Sequence, residues 1–181
     1  MKNIYDFPVN KINGAEFNLS EYRGKALLVV NVASQCGLTP QYAALEKTYE
    51  TFREKGFEVL GFPANEFGGQ EPGTNTEIVD FCTSKFGVKF PMFEKVVVKG
   101  EGQHPLFKFL TTEKPEAQAH SNAFEEKLKT YGVVRSLKQD ILWNFEKFLI
   151  NKKGEVVARF APDVTPDDPM ISAAIETALA E

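Results

Sequence analysis

The sequence has few of the residues that form disulfide bonds in small folds or bind metals. Its 181 residues include two cysteines and two histidines, too few for a disulfide-rich scaffold. A zinc site is not expected, because Cys36, Cys82, His104 and His120 are scattered, without a C-x-x-C or H-x-x-x-H pair. In a reducing cytosol the two thiols are therefore either inert core groups or redox groups.

Long apolar runs and an excess of positive charge are also missing. The longest apolar run, residues 26–30, is much shorter than a membrane-crossing helix, and the opening residues contain no signal-peptide core. We therefore expect a cytoplasmic protein with no membrane span. The formal net charge of −4 argues against a broad nucleic-acid-binding surface.

The length and composition fit one globular domain. A chain of 181 residues with 43% hydrophobic content can bury roughly 70% of the surface that it exposes when unfolded. It therefore needs no disulfide bond or metal ion to fold. Neither an internal repeat nor a linker-like stretch interrupts it. We therefore expect a single domain over residues 1–181.

Strand and helix signals alternate along the chain. Residues 25–33 form a near-continuous apolar run, typical of a strand covered on both faces. Thr39 and Pro40 then predict a helix start, and Gly56 predicts its end. A second strand follows at 57–62. This β-α-β pattern predicts an α/β fold with a central sheet flanked by helices.

The remaining segments carry weaker signals. Asn13-Gly14 predicts a β-hairpin with a type I′ turn. We further predict helices at 76–86, after 104–105, around 124–131 and after 168–169, a short strand near 96–98, and a hairpin over 145–160.

The first candidate for chemistry is Cys36, which follows the first central strand and precedes the helix. In open α/β sheets, functional sites collect at the carboxyl ends of the strands. Free N–H groups at a helix N-terminus favour a thiolate, which is the nucleophilic form of cysteine. A small buried thiol in a loop is the alternative, and location alone does not decide between the two.

The second thiol, Cys82, has the spacing of a core residue. It shares a predicted helix face with Ile78 and Phe86, which favours ordinary packing. The alternative is a resolving thiol that forms a disulfide with an oxidised Cys36. Spacing alone favours the core interpretation.

Two other segments offer hydrogen-bond donors. The glycine-rich loop 64–73 contains Gln70 and is not a P-loop, because no Gly-Lys-Ser/Thr follows. Trp143 and Asn144 add an indole N–H and an amide. These donors could stabilise a thiolate without a histidine base, although a surface loop and a core tryptophan would explain the same residues.

Three motifs resemble those of the glutathione peroxidase family: NVASQCGLT at 31–39, LGFPANEF and QEPG within 60–73, and WNFEKFL at 143–149. They occur in the family's order and span most of the chain. Within the family, the resemblance is strongest to the bacterial branch described as thioredoxin/glutathione peroxidases. The resemblance implies a thioredoxin-like fold with a mixed sheet.

The resemblance also implies an activity, the reduction of hydrogen peroxide and organic hydroperoxides with no metal or organic cofactor. Cys36 matches the peroxidatic residue, which becomes a sulfenic acid, and Gln70, Trp143 and Asn144 match the other members of the catalytic tetrad. Cys82 falls where thioredoxin-dependent members keep their resolving cysteine. The resemblance therefore replaces the core interpretation with a Cys36–Cys82 disulfide that thioredoxin reduces.

Three alternatives stay open beside this assignment. Glutathione could be the reductant, or the fold could serve as a peroxide redox sensor without turnover. A thioredoxin-like disulfide reductase is a weaker alternative, since Cys36 to Thr39 read Cys-Gly-Leu-Thr and contain no C-x-x-C.

The chain departs from the family pattern in three places. Many relatives have cysteine at the position of Ala64 and glutamine at that of Glu66. Residues 114–138 form an insertion that short thioredoxin-dependent relatives usually lack and that oligomeric, glutathione-using relatives carry. It could form a homo-oligomer contact, shield the site from bulky lipid hydroperoxides, or be a polar surface excursion.

Overall fold

The computed structural model describes residues 3–181, which contain six strands and five α-helices. The strands are β1 (Pro8–Asn10), β2 (Glu16–Asn18), β3 (Ala26–Val32), β4 (Phe57–Pro63), β5 (Lys147–Ile150) and β6 (Val156–Phe160). The helices are α1 (Gln41–Phe52), α2 (Asn75–Phe86), α3 (Pro105–Glu113), α4 (Ala123–Thr130) and α5 (Pro169–Ala180).

Four of the strands form the central sheet, in the order β4-β3-β5-β6. β3 and β4 run parallel and are connected through α1, whereas β5 is antiparallel to both β3 and β6. The parallel pair with its crossover helix confirms the predicted β-α-β unit, and the sheet is mixed as expected. β1 and β2 form a separate hairpin.

Apolar layers cover both faces of the sheet. All seven residues of β3 are buried. Leu28 and Val30 share a core with side chains of α1, α2 and α5, whereas Leu27 and Val29 share the opposite core with α3. Because both faces are covered, the strand has a continuous apolar sequence instead of an alternating one.

The predicted helix start at Thr39 is wrong. α1 begins at Gln41 with Pro40 at the N-cap, and no side chain caps it. The Thr39 hydroxyl accepts a hydrogen bond from the Cys36 N–H and donates one to the carbonyl oxygen of Ala33. Thr39 therefore closes the turn before the helix instead of capping the helix itself.

Two further local predictions also differ from the structure. The β1-β2 hairpin forms, but Gly14 (φ 89°) is the one residue of its turn with positive φ, and a type I′ turn needs two. Residues 96–98 form no strand. The Val96 N–H donates to the Pro63 carbonyl at 3.0 Å and the Val98 N–H donates to the Glu66 carboxylate at 2.6 Å, so the segment lies beside the end of β4 without forming a ladder.

The insertion 114–138 is attached to the edge of the sheet. The backbone N–H of Gln118 donates to the carbonyl of Arg159 in β6 at 2.7 Å, and Ala161 donates to the carbonyl of Gln118 at 2.9 Å. α4 lies within the insertion. The segment is thus paired with the outer strand at its start and carries a helix of its own.

The described residues contain neither a membrane-spanning helix nor a metal-binding cluster. No helix between residues 3 and 181 has the length and apolarity to cross a bilayer. The same residues contain no group of three or more His, Cys, Asp or Glu side chains that could hold a metal ion.

Candidate active site around Cys36

Cys36 lies in a tight turn between the carboxyl end of β3 and the start of α1. The Thr39 hydroxyl accepts from the Cys36 N–H at 2.9 Å and donates to the Ala33 carbonyl at 2.8 Å, so one side chain fixes both sides of the turn. The Leu38 N–H donates to the Cys36 sulfur at 3.3 Å. The donor at the sulfur therefore comes from the turn and not from the helix, which begins five residues after Cys36.

Gln70 is held beside this turn by two contacts. Its carbonyl accepts from the Gln35 N–H at 3.0 Å, and its side-chain oxygen accepts from the Asn144 amide at 3.0 Å. Because the Gln70 side-chain oxygen is occupied by Asn144, its NH₂ group remains the donor available to the cavity that Gln70 shares with Cys36.

Trp143 and Asn144 lie in a turn fixed by Asn31 of β3. The Asn31 side-chain amide donates to the Trp143 carbonyl at 3.2 Å, and the Asn31 carbonyl accepts from the Phe145 N–H at 2.7 Å. Phe145 has a φ of 68°, an unusual value for a bulky residue. The surrounding contacts therefore impose a strained backbone directly after the two predicted site residues.

A buried ion pair links this turn to the insertion. The Glu146 carboxylate accepts from the Leu142 N–H at 2.9 Å and pairs with the Arg159 guanidinium. The same guanidinium donates to the carbonyls of Lys114 and Asp140, at the two ends of the insertion. One cation thus holds both the Trp143–Asn144 turn and the base of the insertion.

The glycine-rich loop packs closely on the indole. A Cβ atom on Gly68 would lie 3.4 Å from the Trp143 ring, and the φ of Gly68 is +70°. Phe67, on the same loop as Gly68, has its ring centroid 5.6 Å from that of Trp143. The glycine at position 68 therefore provides both a left-handed backbone and a close approach to Trp143.

A cavity of about 450 Å³ opens at the Cys36 turn. Its inner wall consists of Cys36, Gly37, Leu38, Gln70 and Trp143, and its outer wall of Phe124, Lys127, Leu128, Tyr131 and Val133. The outer wall belongs entirely to α4 and the residues after it. The insertion therefore forms half of the cavity, and its side chains there are mostly apolar with one lysine.

Of the five predicted site residues, the structure brings Cys36, Gln70 and Trp143 to one cavity. Asn144 does not line the cavity; it is fully buried and donates a hydrogen bond to the Gln70 side chain. Cys82 does not line the cavity. It lies in α2 and is buried in the apolar core that also includes Cys36, and both cysteines are free thiols.

Cys82 has polar neighbours of its own. Burial raises the pKa of the Cys82 thiol to about 11, an effect that the neighbouring Tyr42 hydroxyl opposes and the Glu71 carboxylate reinforces. Burial also raises the pKa of Tyr42 well above its ordinary value. Cys82 is therefore a protonated thiol at neutral pH.

The sequence interpretation missed three residues that hold the site: Asn31, Thr39 in its actual role, and Glu146. Asn31 and Glu146 each carried a signal, since a polar side chain within or beside an apolar strand needs a buried partner. The signal at Thr39 was misleading, because a threonine before a proline resembles a helix N-cap.

Comparison with known proteins identifies the family. The model of the glutathione peroxidase family matches residues 4–111, more than half of the chain. The chain belongs to the glutathione peroxidase family. Its enzyme class follows: it is a peroxidase, an oxidoreductase that acts on peroxide.

Individual relatives agree over nearly their whole length. The thioredoxin/glutathione peroxidase BtuE of Escherichia coli is 47% identical over 174 residues, which cover 96% of this chain and 95% of the relative. The hydroperoxy fatty acid reductase gpx1 of Synechocystis is 46% identical over 176 residues, with 97% and 95% covered. The bacterial branch predicted from the motifs is thus among the similar proteins.

Solved structures confirm the fold. The crystal structure of T. cruzi GPX1 has a TM-score of 0.73 and 32% identity, with 99% of this chain and 97% of that chain covered. A thioredoxin family protein from Chlorobium tepidum has a TM-score of 0.62 at 16% identity, with 96% and 92% covered. The predicted thioredoxin-like fold is confirmed.

Proposed function

We propose that the protein is a thioredoxin-dependent peroxidase in which Cys36 attacks the peroxide and Cys82 resolves the product, with no metal or organic cofactor. The observation that carries this proposal is the cavity in which the Cys36 thiol, the Gln70 amide and the Trp143 indole meet. These groups combine a nucleophile with donors, which is what cleavage of an O–O bond needs.

The first step takes place at the Cys36 sulfur. The thiolate attacks the terminal oxygen of the hydroperoxide, so an S–O bond forms, the O–O bond breaks and an alkoxide leaves. The alkoxide takes up a proton and departs as an alcohol, or as water when the substrate is hydrogen peroxide, and Cys36 becomes a sulfenic acid. Gln70 and Trp143 donate to the developing negative charge, and Asn144 orients Gln70 through its 3.0 Å hydrogen bond.

The second step uses Cys82. Its sulfur attacks the sulfenic sulfur of Cys36, water is released, and a disulfide forms that thioredoxin then reduces. Cys82 lies in the third turn of α2 and is 1% exposed. Since a disulfide requires Cα atoms about 4.4–6.8 Å apart, we expect α2 to open locally if the two cysteines lie farther apart than that.

The insertion bears on substrate choice. We propose that the apolar wall formed by Phe124, Leu128, Tyr131 and Val133 contacts the organic part of hydroperoxide substrates. That the insertion shields the site from bulky lipid hydroperoxides is still only a prediction. A relative named as a hydroperoxy fatty acid reductase supports organic hydroperoxides as substrates. That the insertion also forms a homo-oligomer contact stays a prediction.

Steady-state peroxide consumption with thioredoxin and with glutathione, measured side by side, tests the proposal. Cys36→Ser is expected to lose activity with both reductants. Cys82→Ser is the matched control and is expected to consume one equivalent of peroxide and then stop with thioredoxin. Full activity of Cys36→Ser would contradict the proposal, and faster turnover with glutathione than with thioredoxin would reassign the reductant.

A further inference from the structure

The peroxidatic and resolving thiols differ in how they can lose a proton. Cys36 has a backbone N–H at its sulfur and an open cavity, whereas Cys82 is enclosed. If Cys82 resolves the sulfenic acid, as proposed above, its S–H proton needs a local acceptor. Glu71 is a buried carboxylate whose charge acts on the Cys82 thiol, and the mechanism above does not use it.

Gln70 and Glu71 are consecutive residues that line two different cavities. Gln70 lines the Cys36 cavity. Glu71 is 1% exposed and lines a second, smaller cavity of about 170 Å³. The backbone of this segment is fixed by the 3.0 Å hydrogen bond from Gln35 to the Gln70 carbonyl and by the Lys95 ammonium, which donates to the Glu71 carbonyl at 2.9 Å.

The smaller cavity lies between the two cysteine-bearing segments. Ser34 and Gln35, which directly precede Cys36, form one side, and Ile78 and Phe81 of α2, which precede Cys82 by four residues and by one, form the other. Among residues 3–181, no hydrogen-bond donor reaches the Oε2 atom of Glu71. An unpartnered carboxylate oxygen therefore lies buried beside the chain segments that carry the two thiols.

We propose that Glu71 accepts the proton of Cys82 during the resolving step, while the Tyr42 hydroxyl, which has no hydrogen-bond partner among residues 3–181, donates to the sulfur as the proton leaves. Tyr42 is fully buried beside Cys82, and Glu71 interacts electrostatically with both of them. Tyr42 retains its own proton at all physiological pH values, so it can donate to the sulfur but cannot serve as the base.

The proton and electron balance of the step is complete. The Cys82 sulfur bonds to the Cys36 sulfur, the S–O bond of the sulfenic acid breaks, and its electron pair leaves on hydroxide. The Cys82 proton passes to Glu71 and then to the hydroxide, which departs as water. Cys82 is oxidised and Cys36 is reduced by the same amount, so no further reductant is needed until thioredoxin opens the disulfide.

The charged and titratable groups around this site set its pH dependence. Burial raises the pKa of Glu71, an effect that the neighbouring Ser34 and the Lys95 ammonium oppose. A carboxylate with a raised pKa is a stronger base than an exposed one and therefore a better acceptor for the thiol proton. Tyr42 from α1 and Glu77 at the rim of the cavity on α2 are the other groups that face it.

Single-turnover oxidation measures the resolving step separately from the first step. After one equivalent of hydrogen peroxide, sulfenic acid is trapped with dimedone and quantified by mass spectrometry. We expect Glu71→Gln to form the sulfenic acid at the wild-type rate and to form the disulfide about 10²-fold more slowly at pH 7. We expect Tyr42→Phe to slow only the disulfide step, by several-fold.

The control is Glu77→Gln. Glu77 lines the same cavity but is exposed and bonded to the Thr74 backbone, and glutamine preserves that capping contact. Its disulfide rate is expected to equal that of the wild type. The pH profile gives a second readout: between pH 6 and 9 the disulfide rate of Glu71→Gln should rise about tenfold per unit, because solvent must remove the thiol proton, whereas the wild-type profile should be flatter.

Each outcome has a separate meaning. Equal disulfide rates in the wild type and Glu71→Gln would overturn the role of Glu71 and leave the proposed function intact. If Glu71→Gln does not fold, equal rates in Tyr42→Phe and wild type would overturn the proposed arrangement around Cys82. Failure of the wild type itself to form a Cys36–Cys82 disulfide would instead contradict the proposed function.

Discussion

The turn around Cys36 and the helix around Cys82 share one apolar core but present their sulfur atoms differently. At Cys36, the Leu38 N–H donates to the sulfur, and Gln70 and Trp143 line an open cavity. At Cys82, the neighbours are a buried phenol, Tyr42, and a buried carboxylate, Glu71. No histidine lines the Cys36 cavity, and the described residues contain no group of three or more His, Cys, Asp or Glu side chains that could hold a metal ion.

The proposed function assigns the two thiols different reactions, and the difference in their surroundings fits that assignment without a histidine base. Backbone and amide donors favour a negatively charged sulfur, and an open cavity suits a peroxide substrate. A buried thiol with a raised pKa stays protonated at neutral pH and is the weaker nucleophile. The predictions below change one side of this comparison at a time.

Alkylation should separate the two thiols most strongly. With a pKa of about 11, Cys82 is only about 10⁻³ thiolate at pH 8, so it should react with iodoacetamide at least about 10³-fold more slowly than a fully ionised thiol. Its rate should rise tenfold per pH unit towards pH 11, because the thiolate fraction does. Peptide mapping of Cys36→Ser over pH 7–10 measures this rate, and a pH-independent rate would refute the raised pKa.

Removal of Arg159 should loosen the wall of the Cys36 cavity and leave Cys82 unchanged. Arg159→Met leaves Glu146 buried without its ion pair and frees both ends of the insertion. We expect the free energy of unfolding to fall by about 3–5 kcal/mol, measured by chemical denaturation. Lys138→Met, which breaks an exposed pair with Glu116 in the same insertion, is the control and should change the free energy of unfolding far less.

The indole donor can be tested while an aromatic ring is kept at position 143. Trp143→Phe keeps an aromatic ring against Phe67 but removes the N–H. We expect the rate of Cys36 oxidation by peroxide to fall about 10²-fold, while Cys82 alkylation stays as in the wild type. Phe124→Leu, on the opposite wall of the same cavity, is expected to change the oxidation rate by less than about threefold, since no donor is lost.

Alanine substitutions at Gly68 and Gly69, for which we expect the smallest effect, separate backbone strain from packing against the Trp143 indole. Gly68 and Gly69 both have positive φ, but a Cβ atom would contact Trp143 only at position 68. We expect Gly68→Ala and Gly69→Ala to lose about 1–2 kcal/mol of stability each. Only Gly68→Ala should also slow peroxide reduction, by a few-fold. Equal rates in the two variants would show that the indole tolerates displacement.

Much of the fold was predictable from local sequence. The apolar run of β3, the helix that follows it and the alternation of strands and helices need only local sequence patterns, and the structure confirms them. The start of α1 was not predictable, because the Thr39 hydroxyl bonds to Cys36 and Ala33 instead of the helix. A side chain with several possible partners is assigned by tertiary geometry and not by its neighbours in sequence.

The candidate site was likewise predictable only in part. Motif resemblance indicated Gln70, Trp143 and Asn144, although it did not show that Asn144 acts through Gln70 from a buried position. The insertion was detectable as a polar excursion, but its role as the outer cavity wall depends on how Arg159 gathers its two ends. Glu71 carried no signal, since an acidic residue in a glycine-rich loop is ordinarily exposed.

Counting thiols after oxidation by a single equivalent of hydrogen peroxide tests the division of work between Cys36 and Cys82 most directly. The account predicts that the wild-type protein loses both free thiols and that mass spectrometry finds one disulfide joining Cys36 and Cys82. A stable sulfenic or overoxidised Cys36 beside a free Cys82 would contradict it.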